Sequence, residues 1–189
     1  MPRPAETLIP VRAETEGAVM ERTELLRQLE LLHPDCFGWA MVCCRRDRDE
    51  AEDVLHTAYE AVLDGRARYD GRSSLRTWLF GVIRLTAVGQ RRRRVLRWLR
   101  GERPLGDRDA GDQRPDPAAD AARADSAARL ARALDALPTR QRELLHLVFY
   151  QDLSISEAAA LLGISVGSAR THYERGKQRL REWLRREDA

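Results

Sequence analysis

In the first half of the chain, apolar residues recur at intervals of three and four, which is the period of an amphipathic α-helix. Four helices are predicted from apolar stripes at residues 25–32, 37–44, 54–63 and 75–86. Pro34 is predicted to begin the second of these helices, because proline suits the first turn of a helix. Asp47, Gly65 and either Ser73 or Ser74 mark the boundaries of the others.

A second group of apolar stripes begins near Ser126, after a segment without any such period. Its first stripe is short, and Pro138 is predicted to open the next helix. The spacing therefore predicts a second helical part that is separate from the first.

Within this second part, the stretch from Ser154 to Glu157 has the form of a capping box, which predicts the start of a short helix. Gly163 is predicted to end that helix in the left-handed conformation. Ser165 is predicted to cap a longer helix from 166 to about 185. A short helix, a glycine-containing turn and a longer helix together predict a helix-turn-helix.

These patterns divide the chain into four parts. Residues 1–20 contain three prolines without a period and are predicted to form a loose N-terminal tail. Residues 21–100 form a first helical domain, and residues 126–189 form a second one that contains the helix-turn-helix. Residues 101–125 are rich in Gly, Pro, Asp and Ala, which predicts a flexible linker. The predicted fold class is therefore all-α, with two small helical domains joined by a flexible linker.

Composition excludes several classes of protein. The N-terminus lacks the apolar core of a secretory signal, and no apolar run approaches the roughly 18 residues that a membrane span needs. A cytoplasmic protein without membrane insertion is expected. Of the 33 basic residues, 32 are arginine, whose planar guanidinium suits phosphates and guanine edges. No phosphate-binding glycine loop or catalytic triad pattern occurs, so neither an enzyme nor a cofactor is predicted.

The three cysteines lie close together in the sequence. His33, Cys36, Cys43 and Cys44 could be interpreted as a metal or redox site. A zinc site would more usually show paired Cys-x-x-Cys elements, whereas buried cysteine behaves as a small apolar residue. We therefore expect core packing and no metal, and keep the metal or redox role as the alternative.

The longer helix of the helix-turn-helix has two different faces. One face carries the apolar stripe, and the opposite face carries Ser168, Thr171 and Arg175. In DNA-binding proteins of this kind the second helix enters the major groove, and its N-terminal residues contact base edges. An ordinary helical hairpin with a solvated charged face would show the same periodicity, so the pattern by itself leaves both interpretations open.

Two stretches of the sequence resemble one protein family. LDALPTRQRELLHLVFYQDLSISEAAALLGISVGSARTHYERGKQRLREWL resembles the fourth conserved region of bacterial sigma factors, in particular the small extracytoplasmic-function type. DRDEAEDVLHTAYEAVLDGRARYDGRSSLRTWLFGVIR resembles the second conserved region of the same family. The stretches come in the family's order, with a linker between them and no third region. The resemblance covers about residues 22–186 apart from the linker.

The resemblance implies a sigma factor that binds the β and β′ subunits of core RNA polymerase and directs promoter recognition and DNA opening. Promoter DNA and an anti-sigma factor are the other implied partners. The second domain would read the −35 element through Ser165, Ser168, Arg170, Thr171, His172, Arg175 and Lys177. The first domain would recognise and open the −10 element through Tyr69, Asp70, Arg72, Ser73, Arg84, Gln90, Arg91 and Arg92. Core polymerase would be bound through Glu52, Asp53, His56 and Thr57.

Opening DNA requires a place for an unstacked base, and aromatic side chains commonly provide one. Tyr69, Trp78 and Phe80 are the candidates in the first domain. Core packing is the alternative role for each of them, and it is the favoured one for Trp78.

The sequence departs from the family's pattern at several positions. These are Thr57, Leu85, Gly89, Gln90, His172 and Glu174. Thr57 stands where the family usually has an acid, and phosphorylation there would add about −1.5 to −2 charges. The favoured alternative is a neutral helix residue without regulation. The promoter sequence cannot be transferred from relatives because the DNA-reading positions differ.

Two other functions stay open at this point. A stand-alone helix-turn-helix regulator would bind DNA without polymerase, but it leaves the first domain unexplained. An interaction module of two helical bundles would have no role on DNA.

Overall fold

The computed structural model describes residues 21–101 and 121–187, and the side chains of 121–127 and of residue 187 are not described. The described residues form seven α-helices and contain no strand. The helices are α1 Arg22–Cys43, α2 Arg48–Leu63, α3 Leu75–Leu99, α4 Ala121–Asp135, α5 Thr139–Phe149, α6 Ile155–Leu162 and α7 Val166–Glu187. The all-α fold class is thus confirmed. The predicted N-terminal tail and most of the predicted linker lie outside the described residues.

The predicted caps are found where the sequence placed them. The Asp47 side chain accepts a hydrogen bond from the backbone N–H of Glu50, and Ser74 accepts one from the N–H of Thr77. These bonds satisfy backbone donors that have no partner inside the first turn of a helix. The boundaries of α2 and α3 therefore follow from local sequence.

Two predicted boundaries are wrong. Pro34 does not begin a helix but lies inside α1, which continues without interruption from Arg22 to Cys43. The lost backbone hydrogen bond is tolerated because apolar residues on both sides of the proline, such as Leu29 and Cys36, pack into the same core. The linker was predicted to extend to residue 125, whereas α4 begins at Ala121. Alanine and arginine have high helix propensity, which favours this earlier start.

Helices α1, α2 and α3 form a three-helix bundle. Its core contains Trp39 and Phe80, both without exposed surface. The indole Nε1 of Trp39 donates a hydrogen bond of 2.9 Å to the backbone oxygen of Phe80, so the buried N–H is satisfied.

The cysteines pack into this first bundle, as expected. All three are free and buried. Burial raises the pKa of the Cys36 and Cys44 thiols to about 12 and raises that of Cys43 well above its usual value, so all three remain protonated at neutral pH. No cluster of residues that could hold a metal ion occurs in the described part of the chain.

Helices α5 and α6 pack on α7 and form the centre of the second unit, with α4 against α7. At one point α5 and α7 come very close together. A Cβ at Gly176 of α7 would lie 3.2 Å from the Cβ of Gln141 and 3.2 Å from the Cδ1 of Leu145. Because Gln141 and Leu145 are both buried, neither side chain has free space to move into.

The two units also pack directly against each other. Helix α1 contacts α5, and α3 contacts α6. Apolar residues of the second unit, including Leu144 and Leu147, belong to the same buried cluster as those of the first bundle. The sequence predicted only the linker as a connection between the two domains, so this shared core is new information.

None of the helices in the described ranges is both long and apolar enough to cross a membrane.

The close approach of α5 and α7 generates a stability prediction. We expect Gly176→Ala to lower the free energy of unfolding by about 1–2 kcal/mol, because overpacking outweighs the better helix propensity of alanine. Gly89→Ala is the matched control, since its new Cβ would meet nothing within 4 Å. The control should raise the free energy of unfolding by about 0.5–1 kcal/mol. Urea denaturation measures both; equal stabilisation of the two variants would contradict the packing argument.

Candidate nucleic-acid interface

The helix-turn-helix is built by α6, a three-residue turn and α7. The capping box at the start of α6 is complete, because Ser154 and Glu157 each bond to the other's backbone N–H. Gly163 ends α6 with φ of 64°, in the left-handed region that costs glycine little. The Ser165 hydroxyl then accepts a hydrogen bond of 3.1 Å from the N–H of Ser168 and caps α7. Each residue of this turn is therefore placed by a local interaction.

The front of α7 is open to solvent. Ser168, Thr171 and Arg175 are all exposed and lie on the side of the helix opposite the buried Ala169 and Gly176. The Thr171 hydroxyl donates to the backbone oxygen of Gly167 at 3.1 Å, so its methyl group and oxygen lone pairs remain available. This face has the small residues and the long cation that a helix needs to enter the major groove.

The other predicted residues of α7 lie beside this front. Arg170 is exposed, whereas His172 and Lys177 are half-buried. The Lys177 ammonium lies 2.8 Å from Glu174 and 4.5 Å from the centre of the Tyr173 ring. Lys177 therefore already interacts with its own helix and is less free than Arg175 to contact a ligand.

In the first bundle, a loop before α3 brings together several predicted residues. The Tyr69 ring contacts Trp78 with ring centres 5.4 Å apart, and its hydroxyl donates to the backbone oxygen of Ser73. Asp70 accepts a hydrogen bond of 3.2 Å from the N–H of Arg72. The loop is thus ordered by its own side chains and presents Arg72 and Ser73 to solvent.

Among the aromatic candidates for stacking on a base, the prediction for Phe80 is wrong. Its side chain has no exposed surface and packs against Trp39. Tyr69 and Trp78 are each half-buried, which leaves an accessible part of both rings.

At the C-terminal end of α3, every residue from 91 to 100 is exposed. Arg91 and Arg92 have no ion pair with any other described residue. Gln90 is half-buried, and its amide donates to the Thr57 hydroxyl at 3.2 Å. Arg91 and Arg92 are therefore accessible to a ligand, whereas Gln90 is engaged inside the protein.

Arg84 differs from the other residues predicted to contact the −10 element. Its side chain is buried between the two units, where Nε lies 3.6 Å from Oε1 of Glu143. Burial lowers the pKa of its guanidinium, although Glu143 partly offsets this effect. In this arrangement Arg84 cannot reach DNA.

The four residues predicted to bind polymerase share one side of α2. Glu52, Asp53 and His56 are exposed, and Thr57 is half-buried. The Thr57 hydroxyl donates to the backbone oxygen of Asp53 at 2.9 Å.

Asp53, His56 and Thr57 line a groove of about 770 Å³ between α2 and α3. The opposite side of the groove is formed by four arginines, Arg93, Arg94, Arg97 and Arg100.

Sequence reasoning missed a polar cluster at the start of α5. Gln141, Arg142 and Glu143 are all buried, at 5%, 4% and 3% exposure. Charged and amide side chains mostly lie on the surface of proteins. Nothing in the sequence alone therefore indicated that these three residues differ from the solvated residues of an ordinary first helical turn. Only the packing of α5 on the first bundle and on α7 reveals them.

The chain matches two family models. Sigma-70 region 2 matches residues 29–102, and Sigma-70, region 4 matches residues 127–180. Among curated proteins, the chain is 31% identical over 141 residues to the ECF RNA polymerase sigma factor SigX of Bacillus subtilis, covering 74% of this chain and 73% of that protein. It is 35% identical over 141 residues to the ECF RNA polymerase sigma factor SigF of Caulobacter vibrioides, with the same coverage of 74% and 73%.

Two solved structures have a similar fold. The sigma factor RpoE of Bartonella quintana, in complex with the anti-sigma factor NepR, superposes with a TM-score of 0.69 at 22% identity, covering 86% of this chain and 98% of that one. CnrH in complex with the cytosolic domain of CnrY superposes with a TM-score of 0.58 at 23% identity, covering 86% and 88%. At these identities the likeness concerns the fold.

The exposed arginines of α3 generate a prediction about salt. We expect Arg91→Ala combined with Arg92→Ala to weaken binding to duplex DNA of any sequence. The slope of log affinity against log salt should become shallower by about two, because each lost phosphate contact removes close to one unit. Fluorescence anisotropy at several salt concentrations measures the slope.

The control replaces Arg27 and Arg66, each of which is exposed and paired with a carboxylate, by alanine. An equal change of slope in this charge-matched control would show that the net charge of the protein, and not the position of Arg91 and Arg92, determines the salt dependence of binding.

Proposed function

Since the chain belongs to the sigma-70 family and to its extracytoplasmic-function class, we propose that it binds core RNA polymerase through α2, opens the −10 element with the first bundle and reads the −35 element with α7. It is a sigma factor that directs promoter recognition and DNA opening at the start of transcription. The assignment of each step to particular residues is the proposal.

The observation that carries the proposal is the exposed front of α7. The base-reading positions Ser168, Thr171 and Arg175 face solvent even though the two units are packed together. Arginine can donate two hydrogen bonds to a guanine edge, and the small residues beside it allow the helix backbone to approach the DNA. The helix-turn-helix is thus available to duplex DNA in the described conformation.

At the −10 element the physical requirement is different, because an unstacked base must be held. The ordered loop with Tyr69 provides an aromatic surface, and Arg72 and Ser73 provide exposed donors beside it. Arg91 and Arg92 would bind phosphates at the other end of the element, independently of sequence.

Core polymerase would be bound by the acidic face of α2. Glu52 and Asp53 are exposed carboxylates, and the half-buried Thr57 replaces the acid that the family usually has there. Since fewer negative charges are available than in relatives, Asp53 should carry a large share of this contact.

The proposal places the protein in the cytoplasm, where polymerase and the chromosome are. An anti-sigma factor is a further proposed partner, supported by the similar structure of RpoE, which is a complex with the anti-sigma factor NepR. A stand-alone regulator is not favoured, since the match to region 2 would then have no role.

Reconstituted transcription tests the function as a whole. Run-off transcription with core polymerase across the host's promoters should show initiation that depends on this protein, and it would also reveal the sequence recognised. Binding to duplex DNA without initiation would instead indicate a regulator, and neither activity would indicate an interaction module.

A substitution on α7 tests the −35 assignment. We expect Arg175→Ala to weaken binding to a −35 duplex about tenfold or more, because a bidentate contact to a base contributes about 1–3 kcal/mol. Arg186→Ala is the matched control, since it removes the same charge from an exposed position near the end of the same helix. Titration of labelled duplex measures both affinities. Equal losses would contradict a specific role for Arg175.

A substitution on α2 tests the polymerase assignment. Asp53→Ala should lower the affinity for core polymerase several-fold, because it removes an exposed carboxylate from the proposed contact. Glu30→Ala on α1 is the control, as it is exposed and lies outside the contact. Competition for core polymerase against a labelled sigma factor measures the affinity, and unchanged binding of the Asp53 variant would refute the assignment.

A further inference from the structure

The last two turns of α3 carry a group of large apolar side chains that are mostly exposed to solvent. Each member is between 51% and 69% exposed, and the group consists of Val95, Leu96, Trp98 and Leu99. Single exposed apolar residues are common on proteins, whereas a contiguous group of this size usually marks an interaction site. We call these four residues the α3 apolar patch.

The α3 apolar patch lies on one side of the helix. At 3.6 residues per turn, positions 95, 98 and 99 are neighbours on the helix surface, and position 96 lies beside 99. The opposite side carries arginines that line the groove to α2, namely Arg93, Arg94 and Arg97, with Arg100 at the end of the helix. Leu96 also borders this groove and marks the edge between the two sides. The end of α3 is therefore amphipathic.

The polar side of this helix end has an unusual composition. Between positions 91 and 100 every residue that is not apolar is an arginine, six in total. Arg94 forms an ion pair of 3.4 Å with Glu50 of α2. Arg93, Arg97 and Arg100 have no ion pair with another residue of the described ranges. An excess of positive charge therefore remains beside the apolar side chains.

Exposed apolar area combined with unpaired positive charge indicates the kind of partner. A second copy of this chain would bring like charges together at the same helix end, which opposes association. Duplex DNA would match the charge, but its phosphate surface offers no apolar contact to leucine or tryptophan. The surface of an anionic lipid bilayer matches both properties, because its headgroups are negative and the acyl boundary beneath them accepts apolar side chains.

The residue types agree with such a boundary. Tryptophan favours the region between headgroups and acyl chains, because its ring is apolar while its N–H needs a polar partner. Trp98 is the most exposed member of the α3 apolar patch. Arginine has a long aliphatic stem, so its guanidinium can reach a headgroup while the helix lies along the surface.

We infer that the C-terminal end of α3 binds to the surface of anionic lipid bilayers, with the α3 apolar patch among the headgroups and the surrounding arginines on lipid phosphates. The contact is peripheral, since no helix in the described ranges is long and apolar enough to cross a membrane. Because Arg91 and Arg92 directly precede the patch, a bound bilayer would also cover residues that are proposed to bind promoter phosphates. The inference goes beyond the proposed function, and its tests need neither polymerase nor DNA.

Sedimentation of the full-length protein with vesicles tests the binding. Vesicles of equal parts phosphatidylglycerol and phosphatidylcholine should bind the protein at least tenfold more tightly than vesicles of phosphatidylcholine alone. The reason is that basic residues near an anionic surface each add to the attraction. Absence of binding to the anionic vesicles would leave the patch to another protein and would overturn the inference. Equal binding to both kinds of vesicle would also overturn it.

Two double variants distinguish this surface from general adhesion of a basic protein. Val95→Ser combined with Leu99→Ser should weaken binding to the anionic vesicles about tenfold, because it removes apolar contact and keeps every charge. Leu26→Ser combined with Leu31→Ser on α1 is the matched control, since these leucines are 41% and 62% exposed and lie outside the core. The control should bind as the parent does.

Either of two results with these variants would contradict the inference. Parental binding of the α3 double variant would show that the arginines alone attract the protein to lipid. Equal losses in the two double variants would show that any exposed apolar side chain contributes, without a defined surface.

Brominated lipids test whether Trp98 itself enters the bilayer. Bromine quenches tryptophan that lies within the lipid, so tryptophan fluorescence should fall when the parent binds brominated anionic vesicles. Trp98→Phe should remove most of this quenching and bind within about twofold of the parent, because phenylalanine keeps an apolar ring. Unchanged quenching in Trp98→Phe would place the lipid contact elsewhere and would reject the inference.

Analytical ultracentrifugation tests the competing occupant of the patch, a second copy of the chain. The parent should sediment as a monomer, because the arginines around the patch repel those of another copy. A dimer that Val95→Ser combined with Leu99→Ser dissociates would assign the patch to self-association instead of lipid.

Discussion

Trp39 is the side chain on which the packing of the two units depends. Its indole N–H is bonded to the backbone of Phe80 in the first bundle, and its ring stacks on His146 of the second unit. The ring has no exposed surface. A large aromatic residue that is buried from both sides packs with residues of both units, so the position of α5 on α1 is coupled to the integrity of the first bundle.

This coupling explains why polar residues occur at the boundary. Once α5 is held against α1, Glu143 near its start contacts Arg84 of the first bundle. An entirely apolar boundary would fuse the halves, whereas a boundary with incompletely bonded guanidinium groups can separate at moderate cost. The polar front of α7 is not involved, because α7 presents it on the side away from its own apolar stripe. The polar front of α7 is thus exposed while Arg84 is buried.

Much of the fold could be predicted because it follows from local interactions. The caps at Asp47, Ser74 and Ser154, the left-handed turn at Gly163 and the exposed front of α7 all depend on residues that are neighbours in sequence. Prediction was less successful where long-range packing opposed the local preference of a residue. Proline should have started a helix at residue 34, but core residues on both sides kept α1 continuous.

The sequence by itself determined that the chain is helical, that it contains two helical units and that α7 has one apolar and one polar face, because helical period and capping are properties of adjacent residues. Only the tertiary structure decided which polar residues are accessible. Arg84 and Glu143 lie 59 positions apart, and each is of a charged residue type that usually lies on the surface. They become buried only when α3 and α5 pack together. The hydrophobic period along the chain does not predict which helices pack against each other.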